Sequence, residues 1–514
     1  VAMSVAMGRL AASSRSCRWA AGFPRQLATM SALGLRRMCK QSVSLEELLT
    51  VHRKHEKSFT PYTLGPWWIS AVDISRRKEA ELVWAREHAS EFAPVRRTTL
   101  RLAPELKAPD LSFIVASIAF LGVGKDATWA SLWDTLEASA TEKAFDMKVE
   151  GLVHLVWGLA KVDRMASPVH AAVAKEMVLE LQGKRPVAPS LLAKLSWSLG
   201  KVQYKGPELT PLMGQIARRS IEQLDAFSPS ELARLMRGYG RLKVQLDALT
   251  EAVGKRIIDM PSKPTVDASL LLSFAELGHD DLSLYETVIR RAMSNLPSAD
   301  NLALRSLAGA LAVMPATRDI ERQQACCLEF YAALSHELLT RMQTLRPRDV
   351  AELSKSLLNA HSHQRSALHA ALHEGLLERA EAIVDDFNTK ELVKVVNAAG
   401  ETGFGSTAFL YRACDLVIPN MSSLQISEIT TFLLGLSSTR CPFPLQHEEE
   451  LDVQIRSRIG EMSDKQKYEI ARSMTRMHLL PPFQHEEGDA AAFQEDDRRG
   501  VSGDGAYALM RGDI

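Results

Sequence analysis

The sequence has few of the residues that mark a disulfide-bonded, β-rich or membrane-spanning protein. Its six cysteines include no CxxC pair, which argues against a zinc ribbon and a disulfide framework. Aromatic residues make up only 6% of the chain and alternating Val, Ile and Thr runs are few, so we expect strands to be rare or absent. The apolar stretch at 111–123 is too short to cross a bilayer, so we expect no transmembrane segment.

Motifs of catalytic and nucleotide-binding proteins are missing as well. Neither GxSxG nor HExxH occurs in the sequence. Residues 122–125 (GVGK) lack the rest of a phosphate-binding loop, and Gly400, Gly403 and Gly405 lie between two predicted helices rather than after a strand. We therefore predict a protein that is not an enzyme, with no catalytic residues and no cofactor.

Charge is balanced overall but distributed unevenly. The chain has 62 basic and 62 acidic residues, yet the first 45 residues carry seven basic side chains and no acid. That segment is also rich in Ala, Ser and Met, and it predicts a mitochondrial transit peptide or a basic tail at 1–45, and hence a location in the mitochondrial matrix. Residues 484–514 hold eight acids and three bases, which predicts a disordered acidic tail.

A repeat of 40 residues is clearest in three segments. Residues 152–162 read LVHLVWGLAKV, residues 192–202 read LAKLSWSLGKV, and residues 232–242 read LARLMRGYGRL. Apolar residues recur at offsets 0, 3, 7 and 10 in each segment, which indicates one face of an α-helix. We interpret each segment as the first helix of a hairpin.

Looser copies extend this pattern in both directions. Together with the clear copies they give ten predicted helix starts: Leu111, Leu152, Leu192, Leu232, Leu270, Leu304, Val350, Leu392, Ile429 and Lys467. Second helices are predicted between them, at 169–181, 209–224, 327–345, 366–384 and 448–462. A hairpin of this size cannot bury its apolar face alone, so we predict an all-α fold, an α-solenoid of about ten repeats of roughly 40 residues. The repeats occupy 101–483, after a helical cap region at 46–100.

Basic residues occupy equivalent positions in the clear repeats. Residues 151–260 hold 16 basic and 10 acidic residues, in a chain that is mildly acidic beyond residue 45. Stacking would align the repeats into a positive stripe, the footprint expected for a phosphodiester backbone. The alternative is an ordinary solvated face. The candidate RNA-binding residues are Lys161, Lys194, Lys201, Arg234, Arg237 and Arg241.

Aromatic residues of the same segments have two interpretations. Trp157, Trp197 and Tyr239 would be available for base stacking if they were exposed. We expect the two tryptophans to belong to the core instead.

A histidine cluster at 361–373 is the other candidate for chemistry. His369 and His373 are spaced i and i+4, which allows two imidazoles to share one metal, and His361 or His363 could approach from the turn. No cysteine or carboxylate at a fixed spacing completes the set. We therefore predict no metal site, with His369 and His373 as weak candidates.

The segments LLAKLSWSLGKV and ELARLMRGYGRL, in a repeat of about 40 residues, resemble those of organellar helical-repeat proteins of the octotricopeptide and heptatricopeptide type. They also resemble the repeats that precede the RAP domain in FAST-kinase-like proteins. The resemblance covers roughly residues 100 to 480, without the Pro-rich octotricopeptide signature and without a recognisable RAP domain. It implies a role in the maturation, stability or ribosomal assembly of organellar RNA.

These observations favour a mitochondrial RNA-binding protein, either a mitoribosome constituent or an RNA maturation and assembly factor. Its expected partners are RNA, either rRNA or an organelle transcript, and the other proteins of a large organelle assembly. The alternative is a scaffold or accessory subunit of a large mitochondrial, respiratory-type complex. Such a scaffold would bind a protein partner through apolar patches such as Trp67-Trp68 or Phe404.

Overall fold

The chain is helical throughout the part that the structure describes. The computed structural model describes residues 31–183, 185–317, 319–359, 367–439 and 441–481, and no strand occurs in these ranges. The fold divides into two compact units after Ser139. None of the described helices is both long enough and apolar enough to span a membrane.

Among its described residues, the first unit contains six α-helices and part of a seventh, within which the division falls. These are α1 (Ala32–Gln41), α2 (Leu45–His55), α3 (Pro61–Arg77), α4 (Glu79–Glu87), α5 (Ala93–Leu102), α6 (Ala108–Leu121) and α7 (Ala130–Lys143). Helix α3 packs against both α1 and α6, and α2 packs against α5. The first repeat is therefore preceded by further helices stacked in the same manner.

The core of the first unit is aromatic. Trp67 and Trp68 are fully buried, with ring centroids 5.0 Å apart in a T-shaped arrangement. Each indole N–H is satisfied, because Trp67 donates to the carbonyl of Leu48 and Trp68 donates to the hydroxyl of Thr99, both at 3.1 Å. The prediction that Trp67 and Trp68 form a surface patch for a protein partner is thus wrong, since these two rings hold α3 against its neighbours.

Helix α1 lies inside the predicted 1–45 segment. Its Leu35 and Cys39 are buried, and the helix packs on α3. Residues 1–30, which make up most of the predicted transit peptide, lie outside the described residues, as does the predicted acidic tail at 484–514.

The second unit alternates two kinds of helix, which we call A helices and B helices. The A helices are α8 (Val149–Lys161), α10 (Pro189–Val202), α12 (Pro229–Leu242), α14 (Pro264–Leu277), α16 (Asn301–Val313), α18 (Pro347–Asn359), α20 (Thr389–Thr402), α22 (Ile426–Ser438) and α24 (Asp464–Arg476). The B helices are α9 (Val169–Gln182), α11 (Leu209–Glu222), α13 (Asp247–Ile258), α15 (Leu282–Asn295), α17 (Ile320–Thr340), α19 (Ala367–Ala382), α21 (Thr407–Val417) and α23 (Glu448–Arg456).

Each A helix packs on the next A helix, and α9 to α19 form a matching series of packed B helices. This sequential packing of hairpins confirms the α-solenoid. All ten predicted helix starts fall within α6 or an A helix, and the five predicted second helices correspond to α9, α11, α17, α19 and α23. The predicted period is therefore correct, because the shared apolar seam repeats with the hairpin.

Helix α6 and several A helices end in the same left-handed turn. Glycine occupies the turn at Gly122, Gly278 and Gly403, whereas the clear repeats place Asp163, Gln203 and Lys243 there, with φ of 60°, 49° and 54°. The residue that follows the turn donates its backbone N–H to a carbonyl in the last turn of the helix. Tyr204, for example, donates to the carbonyl of Leu199 at 3.1 Å. This turn redirects the chain into the B helix.

Glycines bring some A helices into backbone contact. A Cβ added to Gly200 would lie 2.7 Å from the carbonyl oxygen of Gly238, and one added to Gly238 would overlap the backbone carbonyl of Ser196. The Ser196 hydroxyl also donates to the carbonyl of Leu235 at 2.8 Å. These contacts fix α10 and α12 at a separation that only a residue without a side chain permits.

Arginines at the ends of B helices tie successive repeats together. Arg219 donates through Nε to the carbonyl of Leu181 at 3.1 Å, and Arg379 donates likewise to Leu345 at 3.2 Å. Each guanidinium thereby satisfies a carbonyl near the end of the preceding B helix. The same arrangement recurs for Arg291 with Ile257, Arg341 with Leu296 and Arg458 with Leu424.

Candidate nucleic-acid interface

Helices α8, α10 and α12 each leave the same row of side chains at the surface. Counted from Leu152, Leu192 and Leu232, the positions at offsets 2, 5 and 9 are partly or fully exposed in all three helices, while the positions between them are buried. Helices α10 and α12 pack between two A helices, α8 packs on α10, and each of the three packs on the B helix that follows it, so a row of side chains on the remaining side stays open. The nine side chains of these rows, which we call the basic face, are His154, Trp157, Lys161, Lys194, Trp197, Lys201, Arg234, Arg237 and Arg241.

The basic face contains all six candidate RNA-binding residues. Lys161 and Arg234 are exposed, and the other four are partly buried. No carboxylate occupies any of the nine positions. The three rows therefore form a surface of six cations, two indoles and the imidazole of His154 on adjacent helices.

Two carboxylates at the edges of the basic face pair with its cations. Asp163, in the left-handed turn after α8, lies 2.7 Å from the ammonium of Lys201. Glu276 of α14 pairs with the Arg237 guanidinium. Both pairs are partly exposed to solvent, where such interactions contribute little stability and exchange readily for another anion.

Arg241 is the most enclosed cation of the basic face. Burial, followed by the charge of Arg237, lowers the pKa of Arg241 to about 10, against an opposing contribution from Glu276. Its Nη1 atom is buried and has no hydrogen-bond partner among the described residues. Arg241 stays protonated at neutral pH, so it contributes a positive charge with a donor that an anion could use.

The two tryptophans differ from expectation, because they are half-buried rather than part of the core. The Lys161 ammonium lies 5.8 Å from the Trp157 ring centroid and 5.4 Å from that of Trp197. The Lys194 ammonium lies 5.9 Å from the Trp157 centroid. Both indoles therefore meet the cations of the basic face, at distances typical of cation–π contacts.

Tyr239, the third aromatic candidate, is not available for stacking. Its ring is buried at the junction of α12 and α11, and its hydroxyl donates to the carbonyl of Met213 at 2.6 Å. Burial raises the pKa of Tyr239 well above its ordinary value. This side chain belongs to the core of the repeat.

His369 and His373 lie on one face of α19, as their spacing predicts. Their ring centroids are 4.3 Å apart, and the Tyr331 hydroxyl bonds Nδ1 of His369. His373 is buried, and burial followed by the charge of His369 lowers its pKa to about 4. His361 and His363 lie outside the described residues, within which no cluster of three or more His, Cys, Asp or Glu is placed to hold a metal.

Sequence reasoning missed the acidic edges of the basic face. Asp163 occupies the position that Gln203 and Lys243 take in the next two repeats, so aligning the copies identifies it. Glu276 belongs to a looser copy of the repeat, which cannot be aligned with the clear copies from the sequence alone. Helix α20 repeats the burial pattern of the basic face, but its row carries Lys394 paired with Glu352 at 2.7 Å, followed by Asn397 and Glu401, so it does not continue the positive surface.

Comparison with known families gives one match that overlaps the basic face. A family described as RNA-editing substrate-binding complex 6 protein matches residues 191–440. The matched region begins in α10 and ends beyond α22, so it includes the rows of α10 and α12 but not that of α8. A search of curated proteins gives no match. About half of the chain is thus similar to a helical protein family associated with RNA.

Proposed function

We propose that this protein is a non-catalytic RNA-binding solenoid that holds RNA on its basic face. It would act in mitochondria, as a factor in RNA maturation or assembly or as a constituent of the mitoribosome. The basic face is the observation that carries this proposal, because three successive helices expose six cations, two indoles and one imidazole there, and no carboxylate. The similarity to an RNA-editing substrate-binding family supports RNA maturation over the other roles.

The chemistry of the basic face suits a phosphodiester backbone. Lysine and arginine neutralise phosphates and release condensed counterions, which makes binding favourable and dependent on salt. The repeat places cations on successive helices, so the surface is extended rather than a single point of charge. The mitochondrial location rests on the composition of residues 1–45, which is typical of a transit peptide.

Neutralising one cation on each of the three helices tests the proposal. We expect replacement of Lys161, Lys194 and Arg234 with alanine to weaken RNA binding by about tenfold or more, because phosphate contacts are lost. The slope of log affinity against log salt should fall by about 2 for three contacts to a single strand. Fluorescence anisotropy with labelled RNA, measured over a series of salt concentrations, gives both quantities.

A matched control removes three cations elsewhere. Lys255, Arg290 and Lys465 are 76%, 72% and 79% exposed, and each pairs only weakly with an acid one turn away. Their replacement with alanine changes the net charge equally but should leave the salt slope unchanged. Equal slopes for the wild type and both variants would refute RNA binding on the basic face.

The alternative function is a protein-binding scaffold in a large mitochondrial complex. Phe404 is half-buried in the turn after α20, whereas Trp67 and Trp68 are buried and offer no surface to a partner. Sedimentation of the native protein with a large complex, unchanged by ribonuclease, would favour this alternative.

A further inference from the structure

Trp157 and Trp197 occupy equivalent positions on adjacent A helices. Both are half-buried, and the Lys161 ammonium contacts both rings. The tryptophans of the first unit's core contrast with them, since Trp67 and Trp68 are fully enclosed. Each of the two indoles on the basic face therefore keeps part of its surface among the cations rather than within the core.

Packing of the solenoid does not require an indole at this position. The equivalent residue of α12 is Arg237, which pairs with Glu276, and that of α20 is Asn397. The burial of the flanking positions is nevertheless the same in all four helices. An arginine or an asparagine thus meets the structural demands of the site, so the two tryptophans supply something that packing alone does not.

Resting on the proposed function, we propose that Trp157 and Trp197 are base-stacking platforms for single-stranded RNA. An indole face stacks on any base, whatever its identity, provided the base is not already stacked within a duplex. Lys161 and Lys194, which now lie over the rings, would move to the phosphates of the same nucleotides. The arginines of α12 would hold the phosphates of the adjoining part of the strand.

This arrangement predicts a preference for single-stranded RNA over duplex RNA. In duplex RNA the bases stack on one another and only the backbone reaches a flat protein surface. Such RNA would engage the cations of the basic face without the indoles. The basic face should therefore bind single-stranded RNA more tightly than duplex RNA at the same salt concentration.

Replacing both tryptophans with leucine tests the platforms. We expect the Trp157→Leu/Trp197→Leu variant to bind a single-stranded RNA of roughly 12 nucleotides about tenfold to a hundredfold more weakly, because stacking is lost. Its salt slope should stay that of the wild type, because the phosphate contacts remain. Phenylalanine at both positions should restore much of the affinity. Duplex RNA of the same length should bind both proteins equally.

Two further variants separate the possible outcomes: a tryptophan control, and the variant in which Lys161, Lys194 and Arg234 are replaced with alanine. Trp84→Leu removes another half-buried tryptophan, stacked on His88 at 4.8 Å in the first unit, and should leave RNA affinity unchanged. Full single-strand affinity in the leucine variant, with binding lost on charge neutralisation, would overturn the platforms but not the RNA-binding function. Unchanged affinity in both variants would overturn the two proposals together. Tighter binding of duplex RNA would also overturn the platforms.

Discussion

Replacing Gly238 with alanine is expected to destabilise the second unit by about 2 kcal/mol or more. The new Cβ would overlap the backbone carbonyl of Ser196, which cannot move aside as a flexible side chain would. Helices α10 and α12 must then separate, with loss of the hydrogen bond from Ser196 to Leu235. The shift in the midpoint of urea unfolding, followed by circular dichroism, measures the effect.

Gly214 provides the matched control for this substitution. It lies in the middle of α11, and a Cβ added there would meet no atom within 4 Å. Alanine at Gly214 should stabilise the protein by about 0.5–1 kcal/mol, because it restricts the unfolded chain and favours the helix. Similar effects of the two substitutions would contradict the close backbone contact between α10 and α12.

Helices α10 and α12 carry two rows of the basic face, so their separation should also disturb RNA binding. We expect the Gly238→Ala variant to bind RNA more weakly than the wild type even where circular dichroism shows that its helices are retained. The glycine contact fixes the distance between Trp197 and the arginines of α12. Sequence positions far from any phosphate can therefore affect RNA affinity through the spacing of the helices.

Acid is expected to destabilise the second unit through His373. Its pKa is about 4 in the folded protein against 6.5 for an ordinary histidine, so the unfolded chain binds a proton more readily. The stability contributed by neutral His373 is fully present above pH 6.5 and is lost as the pH falls towards 4. At about pH 5 this loss amounts to roughly 2 kcal/mol.

The variant His373→Leu isolates this contribution. Leucine fills the buried site without a titrating group, so the fall in unfolding free energy between about pH 7.5 and pH 5 should be smaller by roughly 2 kcal/mol than in the wild type. Urea denaturation at the two pH values provides the comparison. Burial, followed by the charge of Arg53, also lowers the pKa of His52 to about 4. His52 therefore supplies a similar loss in the first unit, which is unchanged in the variant and serves as an internal reference. An identical pH dependence in variant and wild type would show that His373 is not held neutral.

The solenoid could be predicted from the sequence because its physical cause is periodic. Leucines recurring at helical spacing every 40 residues predict both the helices and their mutual burial, and every predicted start falls within a helix of the expected series. The region at 46–100 gave no such signal, since Trp67 and Trp68 replace the leucine pattern there. Its stacking on neighbouring helices became visible only in three dimensions.

The candidate site was only partly predictable. Equivalent repeat positions brought the six cations together, but composition does not distinguish a surface cation from one that ties repeats together. Arg219 carries the same charge as Arg234, yet it bonds the carbonyl of Leu181 instead of facing solvent. We likewise expected Trp157 and Trp197 to belong to the core, whereas they are half-buried, because the open row of an A helix is only one residue wide.

Crosslinking of RNA to the native protein by ultraviolet light tests the central claim most directly. After digestion, mass spectrometry identifies the peptides that retain a nucleotide. We expect these peptides to come from α8 and α10, with the modified residues at or beside Trp157 and Trp197, and from the adjoining row of α12. Nucleotides attached only to B helices, or a protein that retains no RNA, would contradict the account.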